Sequence, residues 1–208
     1  FIFFAIKGLK TNGEKFIREA VSNGASAIVC SKNCRYIIDD IPIFKTNNVR
    51  LLLSNIASKF YKLKPKNIIA VTGTNGKTTV TTLIRHLLEM PGHPVGLIGT
   101  VRYHLGDREV PSYRTTPEST DLYSLLRSML VGGCSEAVME VSSHGIHQSR
   151  VSGLKLGVSV FLNLTRDHLD YHENMEAYFN EKRKIFNGLN GKLPNVAVIN
   201  GDCPYGQR

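Results

Sequence analysis

AVTGTNGKTT, residues 70–79, lies between a short apolar run, NIIAVT (67–72), and a segment with helical spacing, TTVTTLIRHLLEM (78–90). Glycine-bearing loops that leave a strand and enter a helix cradle phosphate, because backbone N–H groups and the helix dipole converge on an anion there. The common spacing is Gly, four residues, then Gly-Lys-Ser/Thr. Counted back from Gly76-Lys77-Thr78, the first glycine falls at 71, where Val71 stands. The strand–loop–helix setting outweighs that mismatch and identifies a variant phosphate loop. Gly73, Thr74, Asn75, Gly76, Lys77, Thr78 and Thr79 then bind ATP or a similar nucleotide. Lys77 reaches the terminal phosphates, and the Thr78 hydroxyl meets Mg²⁺.

Outward from the loop, the pattern is α/β. Upstream, FIFFAI (1–6), SAIVCS (26–31) and IPIFKT (41–46) read as strands. EKFIREAVSNG (14–24) has apolar residues at 16, 17, 20 and 21, a helical face that stops at Asn23-Gly24. NNVRLLLSNIASKFYK (47–62) is a second helix, capped by Asn47 or Asn48, and KLKPK (62–66) reads as a linker. This places a small N-terminal α/β domain at 1–65 and a second domain at 66–208. Downstream, PVGLIGTVRY (94–103) reads as one strand and HLGDREV (104–110) as a hairpin turn. Thr116-Pro117-Glu118 predicts a helix start with Thr116 as the capping hydroxyl. AVMEVS (137–142), LGVSVFLNLT (156–165) and NVAVIN (195–200) are buried strands, and MEAYFNEKRKIFNGL (175–189) is a helix. The alternation predicts a P-loop-type domain with a mostly parallel sheet flanked by helices.

Composition narrows the class. Hydrophobic residues make up 42% and charged residues 21% of the 208, which suits a packed chain rather than a disordered one. No apolar run approaches the roughly 18 residues of a membrane span, so no membrane partner is expected. Cys30, Cys34, Cys134 and Cys203 are too few and scattered for a disulfide framework, which predicts reduced thiols and a cytoplasmic protein. The charge is uneven: residues 1–66 hold 12 Lys/Arg against 4 Asp/Glu, and residues 67–208 hold 14 against 13. The lysines of the basic third are dispersed, and Phe16, Phe60 and Tyr61 fall where a core would want them. A solvated basic surface near a phosphate-bearing ligand is the expectation, with no nucleic-acid partner.

Ligands of such sheets bind outside the carboxyl ends of the strands. Glu140 interrupts the apolar run AVMEVS near a strand end, where a carboxylate suits Mg²⁺. FLNLTRDHLDYH (161–172) brings Asp167, His168, Asp170 and His172 to another. Zinc at His168/His172 or His144/His147 lacks the accompanying glutamate pattern, so magnesium is the expected metal.

TGTNGKTT (72–79), TTPES (115–119), MEVSSHGIHQSRV (139–151), NLTRDHLDYHENMEAYFNEK (163–182) and the N-terminal FAIKGLKTNGEKFIREAVSNGASAIV together resemble the Mur ligase family over essentially the whole chain. They are most similar to the type that adds the third residue of the peptidoglycan stem peptide. The family's loop reads Gly-Thr-Asn-Gly-Lys-Thr-Thr, so Val71 is no defect. The resemblance implies that ATP activates the D-Glu carboxylate of UDP-MurNAc-L-Ala-D-Glu as an acyl phosphate, which an incoming diamino acid attacks. It implies Lys77, His168 and Lys182 as catalytic residues. Thr78 and Glu140 would lie on one Mg²⁺ and His168 on a second. Lys182 would be a carbamate, an anionic oxygen ligand where an ammonium would be repelled. Thr115, Thr116, Ser142, Gln148 and Arg150 would bind the sugar-peptide, Arg150 as a fork for carboxylate or phosphate. Residues Gly8 to Thr11 match a loop that contacts the uridine diphosphate portion. The resemblance also implies that the chain begins inside an N-terminal domain and ends inside a central one. It would then lack the C-terminal domain that meets the incoming diaminopimelate or lysine, and would not turn over alone. A monomer is expected.

Two other functions compete. One is another amide ligase of the superfamily, such as folylpolyglutamate synthase. The other is a non-catalytic nucleotide-binding module whose basic N-terminal part binds nucleic acid, with steeply salt-dependent affinity.

Overall fold

The protein is described by a computed structural model, which covers residues 1–8, 11–38, 40–189 and 191–208. The basic third forms a three-stranded parallel sheet, ordered β1 (Ile2–Phe4), β2 (Ala27–Ser31), β3 (Ile43–Thr46). A 3₁₀ turn (Gly13–Phe16) and α1 (Ile17–Ser22) connect β1 to β2, and Ile17, Ala20, Ile28, Cys30 and Cys34 form the core there. α1 ends before Gly24, whose φ of +86° is left-handed backbone that favours glycine. α2 (Val49–Phe60) starts at Asn48, whose side chain accepts the Leu51 N–H at 2.9 Å. Of the two candidate caps, Asn48 is the one used.

A seven-stranded sheet follows, built from β4 (Asn67–Thr72), β5 (Val95–Ile98), β6 (Arg102–His104), β7 (Glu109–Pro111), β8 (Glu136–Glu140), β9 (Val158–Phe161) and β10 (Val196–Ile199). Their order across the sheet is β10-β9-β4-β8-β5-β6-β7; the first five are mutually parallel, β6 is antiparallel to β5, and β7 is antiparallel to β6. Its helices are α3 (Lys77–Glu89), α4 (Ser119–Val131), α5 (Ser143–His147) and α6 (Met175–Arg183). β4 shows why both faces are covered. Ile68 and Ala70 join one core with Leu122, Leu126 and Met129 of α4. Ile69 and Val71 join the other, with Val80, Ile84 and Leu88 of α3. Alternate side chains of a strand point to opposite faces, so an unbroken apolar run becomes two cores. Val71 is fully buried in the second; it is a strand residue that presents the loop.

Several expectations change. PVGLIGTVRY is two strands, because the chain reverses at Gly99–Val101 and β6 pairs back on β5. The turn at 105–108 is the expected hairpin, closed by Leu105 N–H to Arg108 O at 2.8 Å. α4 begins at Ser119 with Glu118 as its N-cap residue, so Thr116 does not cap it. α6 ends at Arg183, short of the expected 189. Phe16 and Phe60 are 45% and 76% exposed rather than core residues; Tyr61 alone of the three packs on the large core. α2 reaches across as well: its Ala57 belongs to the large core. All four cysteines are buried free thiols. No described helix is long and apolar enough to cross a membrane.

Candidate active site

The phosphate loop runs from β4 into α3 and is fixed from the β9 side. Asn163 accepts the Thr74 and Asn75 N–H groups on its Oδ1 at 3.1 and 3.0 Å and returns its Nδ2–H to Asn75 O at 3.1 Å. Gly73 packs so closely that a Cβ would come within 3.0 Å of Leu162 Cβ, and Gly76 turns at φ +82°. Here the glycines at 73 and 76 are steric requirements. Lys77 folds back over the loop, donating to Gly73 O at 3.0 Å and Thr74 O at 2.9 Å. Burial holds its pKa below the ordinary lysine value.

β8 delivers Glu140 to the same place. It lies opposite Val71 in the ladder and on the face covered by α3, the parity of Val138. Although only 1% exposed, its carboxylate is well supplied with donors. Oε1 accepts from Thr78 Oγ1 at 3.0 Å and Thr100 N at 2.8 Å, and Oε2 from Thr100 Oγ1 at 3.0 Å. Thr100 went unnoticed in the sequence, because it sits in what reads as mid-strand. The glycine before it was the available signal: a Cβ on Gly99 would stand 2.6 Å from Glu140 Oε1.

A cavity of about 610 Å³ opens over these groups. Its lining includes Lys77, Thr78, Thr115, Arg150, His144 and His168. His168 follows Asp167 in left-handed backbone, φ +52°, and its Nε2 lies 3.6 Å from Asp167 Oδ2. Lys182 does not line this cavity. It is 1% exposed, beneath the loop, and donates to Gly73 O at 2.8 Å. Burial, and secondarily the neighbouring Lys77 ammonium, bring its pKa down to about 7. Among the described residues, no group of three or more His, Cys, Asp and Glu is arranged to hold a metal.

The sugar-peptide candidates line the far side. Thr116 Oγ1 donates to Glu140 O at 3.1 Å and accepts the Ser142 N–H at 3.0 Å. Ser142 Oγ caps α5 by accepting the Gly145 N–H at 3.1 Å. Both hydroxyls therefore fix the wall of the site, whereas Thr115 Oγ1 reaches Thr100 Oγ1 at 3.0 Å. Arg150 is 8% exposed. It donates to Thr116 O at 2.7 Å and Gln148 Oε1 at 2.6 Å, and its Nε is buried with no protein partner.

Three guanidinium groups meet one carboxylate here. Glu118 pairs with Arg50 from α2 at 2.9 Å, with Arg114 at 2.5 Å and with Arg150 at 3.1 Å. This leaves the adjoining cleft of about 730 Å³ strongly cationic, with Lys7 and Gly8 at its edge. Arg50, Arg114 and Glu118 were missed because a lone Arg in a sequence carries no sign of what it faces. Of the segment Gly8 to Thr11, Leu9 and Lys10 lie outside the described residues; Gly8 N–H donates to Thr11 O at 2.9 Å.

Comparison with known proteins decides the family. The profile of the Mur ligase middle domain matches residues 71–208, two thirds of the chain. The chain belongs to the Mur ligase family. Its curated relatives include UDP-N-acetylmuramoyl-L-alanyl-D-glutamate–2,6-diaminopimelate ligases from Geobacter metallireducens, 42% identical, and Clostridium tetani, 44% identical. Each alignment covers 100% of this chain and 42% of the relative, so the chain spans well under half of their length. A solved ligase of the same description superposes with a TM-score of 0.81 at 31% identity, over 99% of this chain and 41% of that one. A MurF ligase from Thermotoga maritima, solved with ADP, superposes at 0.57 with 25% identity, over 89% and 40%. The fold of this Mur ligase chain is thus α/β, with its mostly parallel sheet flanked by helices, as the sequence pattern implied.

Proposed function

We propose that the chain carries the nucleotide and sugar-peptide sites of an ATP-dependent ligase that joins 2,6-diaminopimelate to the D-Glu carboxylate of UDP-MurNAc-L-Ala-D-Glu. The observation that carries this reading is one cavity lined both by the helix N-terminus at Gly76–Thr79 and by Thr115 and Arg150. A phosphate donor and an acidic acceptor would meet there. The amino acid is taken from what the relatives are named for.

The residues fit the groups required. The α3 N-terminus offers N–H donors and a positive dipole end to phosphate, and Lys77 is within reach of the loop it folds over. Mg²⁺ takes one or two carboxylates with phosphates and water rather than an all-protein cage; Glu140 with Thr78 is such a donor pair, and His168 faces the same cavity. ATP would supply the phosphoryl group that turns the carboxylate into an acyl phosphate. Arg150, its Nε unpartnered, holds an acidic group of the sugar-peptide. Lys182, poised near neutrality, presents an uncharged amine that can bond CO₂ as a carbamate, its proton passing to solvent. Catalysis here is positioning and charge neutralisation.

The test is ADP formation by the intact protein, with Mg²⁺, in the presence of both the sugar-peptide and 2,6-diaminopimelate. Turnover that needs both supports the reading. ADP formation only with a folate and glutamate, or none with any acid–amine pair, rejects it.

A further inference from the structure

We propose that Tyr178 and His172 are positioning residues that hold the phosphate loop in register with the segment bearing Ser142. Neither lines the cavity, and both are buried, at 1% and 4% exposure. Together they form a continuous chain of contacts behind it. Tyr178 Oη lies 3.3 Å from Thr74 Oγ1. The Thr74 hydroxyl donates to Thr165 O at 3.3 Å and accepts the Thr165 N–H at 3.0 Å, so the arrangement that satisfies every group has Tyr178 donating. The ring of Tyr178 stacks on His172, centroids 4.9 Å apart and planes 22° from parallel. His172 Nε2 in turn bonds Ser143 Oγ at 2.9 Å, at the first residue of α5. Ser142, its neighbour, holds Thr116.

Two further features tie this chain to the loop. Lys182 Nζ sits 4.7 Å from the Tyr178 ring centroid and donates to Gly73 O, so α6 grips the loop at two successive residues, Gly73 and Thr74. The chain is also polar although it is buried. Burying three polar side chains costs stability unless each is paired, and replacing such groups by apolar ones of the same shape is often nearly neutral. Their directional bonds fix where Thr74 and Ser143 sit. These two residues come from separate segments, Thr74 in the lining of the cavity and Ser143 between the lining residues Ser142 and His144, and the Tyr178–His172 stack joins them.

The inference rests on the proposed ligase reading only for the names of the two ligands. Two near-isosteric variants of the intact protein test it. Tyr178→Phe keeps the stack and the Lys182 contact and removes only the bond to Thr74. His172→Phe keeps a ring on Tyr178 and removes the bond to Ser143. The expected result is a split. Tyr178→Phe raises the KM for ATP and the Kd for Mg·ADP roughly five-fold, the size of one hydrogen bond, with the sugar-peptide KM within about two-fold. His172→Phe does the reverse. In a Thr74→Val background, Tyr178→Phe should add nothing further. Both constants unmoved in both variants overturns the inference, as does a shift of both constants in proportion to a lost melting temperature. If the wild-type protein fails to bind Mg·ADP, the ligase reading itself fails, a distinct outcome from wild-type binding that the variants leave unchanged.

Discussion

Single atoms decide most of this site. Gly99 has no role visible in its own chemistry, yet a methyl group there would stand 2.6 Å from Glu140 Oε1. The carboxylate is held from three directions by Thr78 and Thr100, so it can give way only by breaking one of those bonds. Gly99→Ala is expected to lower ATP turnover roughly ten- to hundred-fold, the scale of a misplacement near 1 Å, and to raise the Mg²⁺ concentration needed for half-maximal rate. A Mg²⁺ titration of the rate checks it, and wild-type behaviour would refute the steric argument. Glycines 73 and 76 were legible because loop, strand and helix announce them together. Gly99 and Thr100 were not, because VGLIGTVRY reads as a continuous strand until the reversal is seen. Thr116 was legible as a polar residue beside a proline and misassigned to a local cap; its partners, Glu140 O and Ser142 N, lie more than twenty residues away.

At the scale of elements, periodicity gave the strands and helices because each lies between two media, and it failed where an element touches a third. α2 shows this. Its apolar residues predicted a helix, but nothing local showed that its Ala57 would join the core of the large sheet while Phe60 remained in solvent. The contact is tight. A Cβ on Gly153 would overlap Tyr123 Oη and come within 2.8 Å of Ser58 Cβ, and Gly153 N–H donates to Ser54 Oγ at 3.2 Å. Gly153→Ala is therefore expected to destabilise the protein by about 1–3 kcal/mol, the usual cost of overpacking, as a lower urea midpoint with the KM for ATP unchanged. Unaltered stability would mean that α2 and α4 separate easily. The ion pairs of Glu118 span the same junction, but they are about a third exposed and screened, so they matter more to the position of Arg150 than to stability. Glu118→Gln is expected to raise the sugar-peptide KM while moving the melting temperature by little, measured by paired kinetics and calorimetry.

The whole molecule buries two bases, and each ties its stability to pH. Burial and Lys77 bring the pKa of Lys182 from an ordinary 10.5 to about 7. Burial, with His144 beside it, brings that of His172 from 6.5 to about 4. In both cases the unfolded chain binds the extra proton between the two values, so stability increases with pH across each window. The contribution of His172 is fully present above pH 6.5 and lost as pH falls through 4. That of Lys182 is fully present only above 10.5 and gone below 7. In metal-free protein kept clear of CO₂, the gap in unfolding free energy between wild type and Lys182→Met should therefore change between pH 7 and 10.5 and stay level below. The corresponding gap for His172→Phe should change only between 4 and 6.5. Urea denaturation at half-unit pH steps separates the windows. A Lys182→Met gap that instead stays level from pH 7 up to nearly 10.5 would mean that this lysine stays protonated beneath the loop, held by Gly73 O against the repulsion of Lys77. It would then have no uncharged amine at neutral pH with which to take up CO₂.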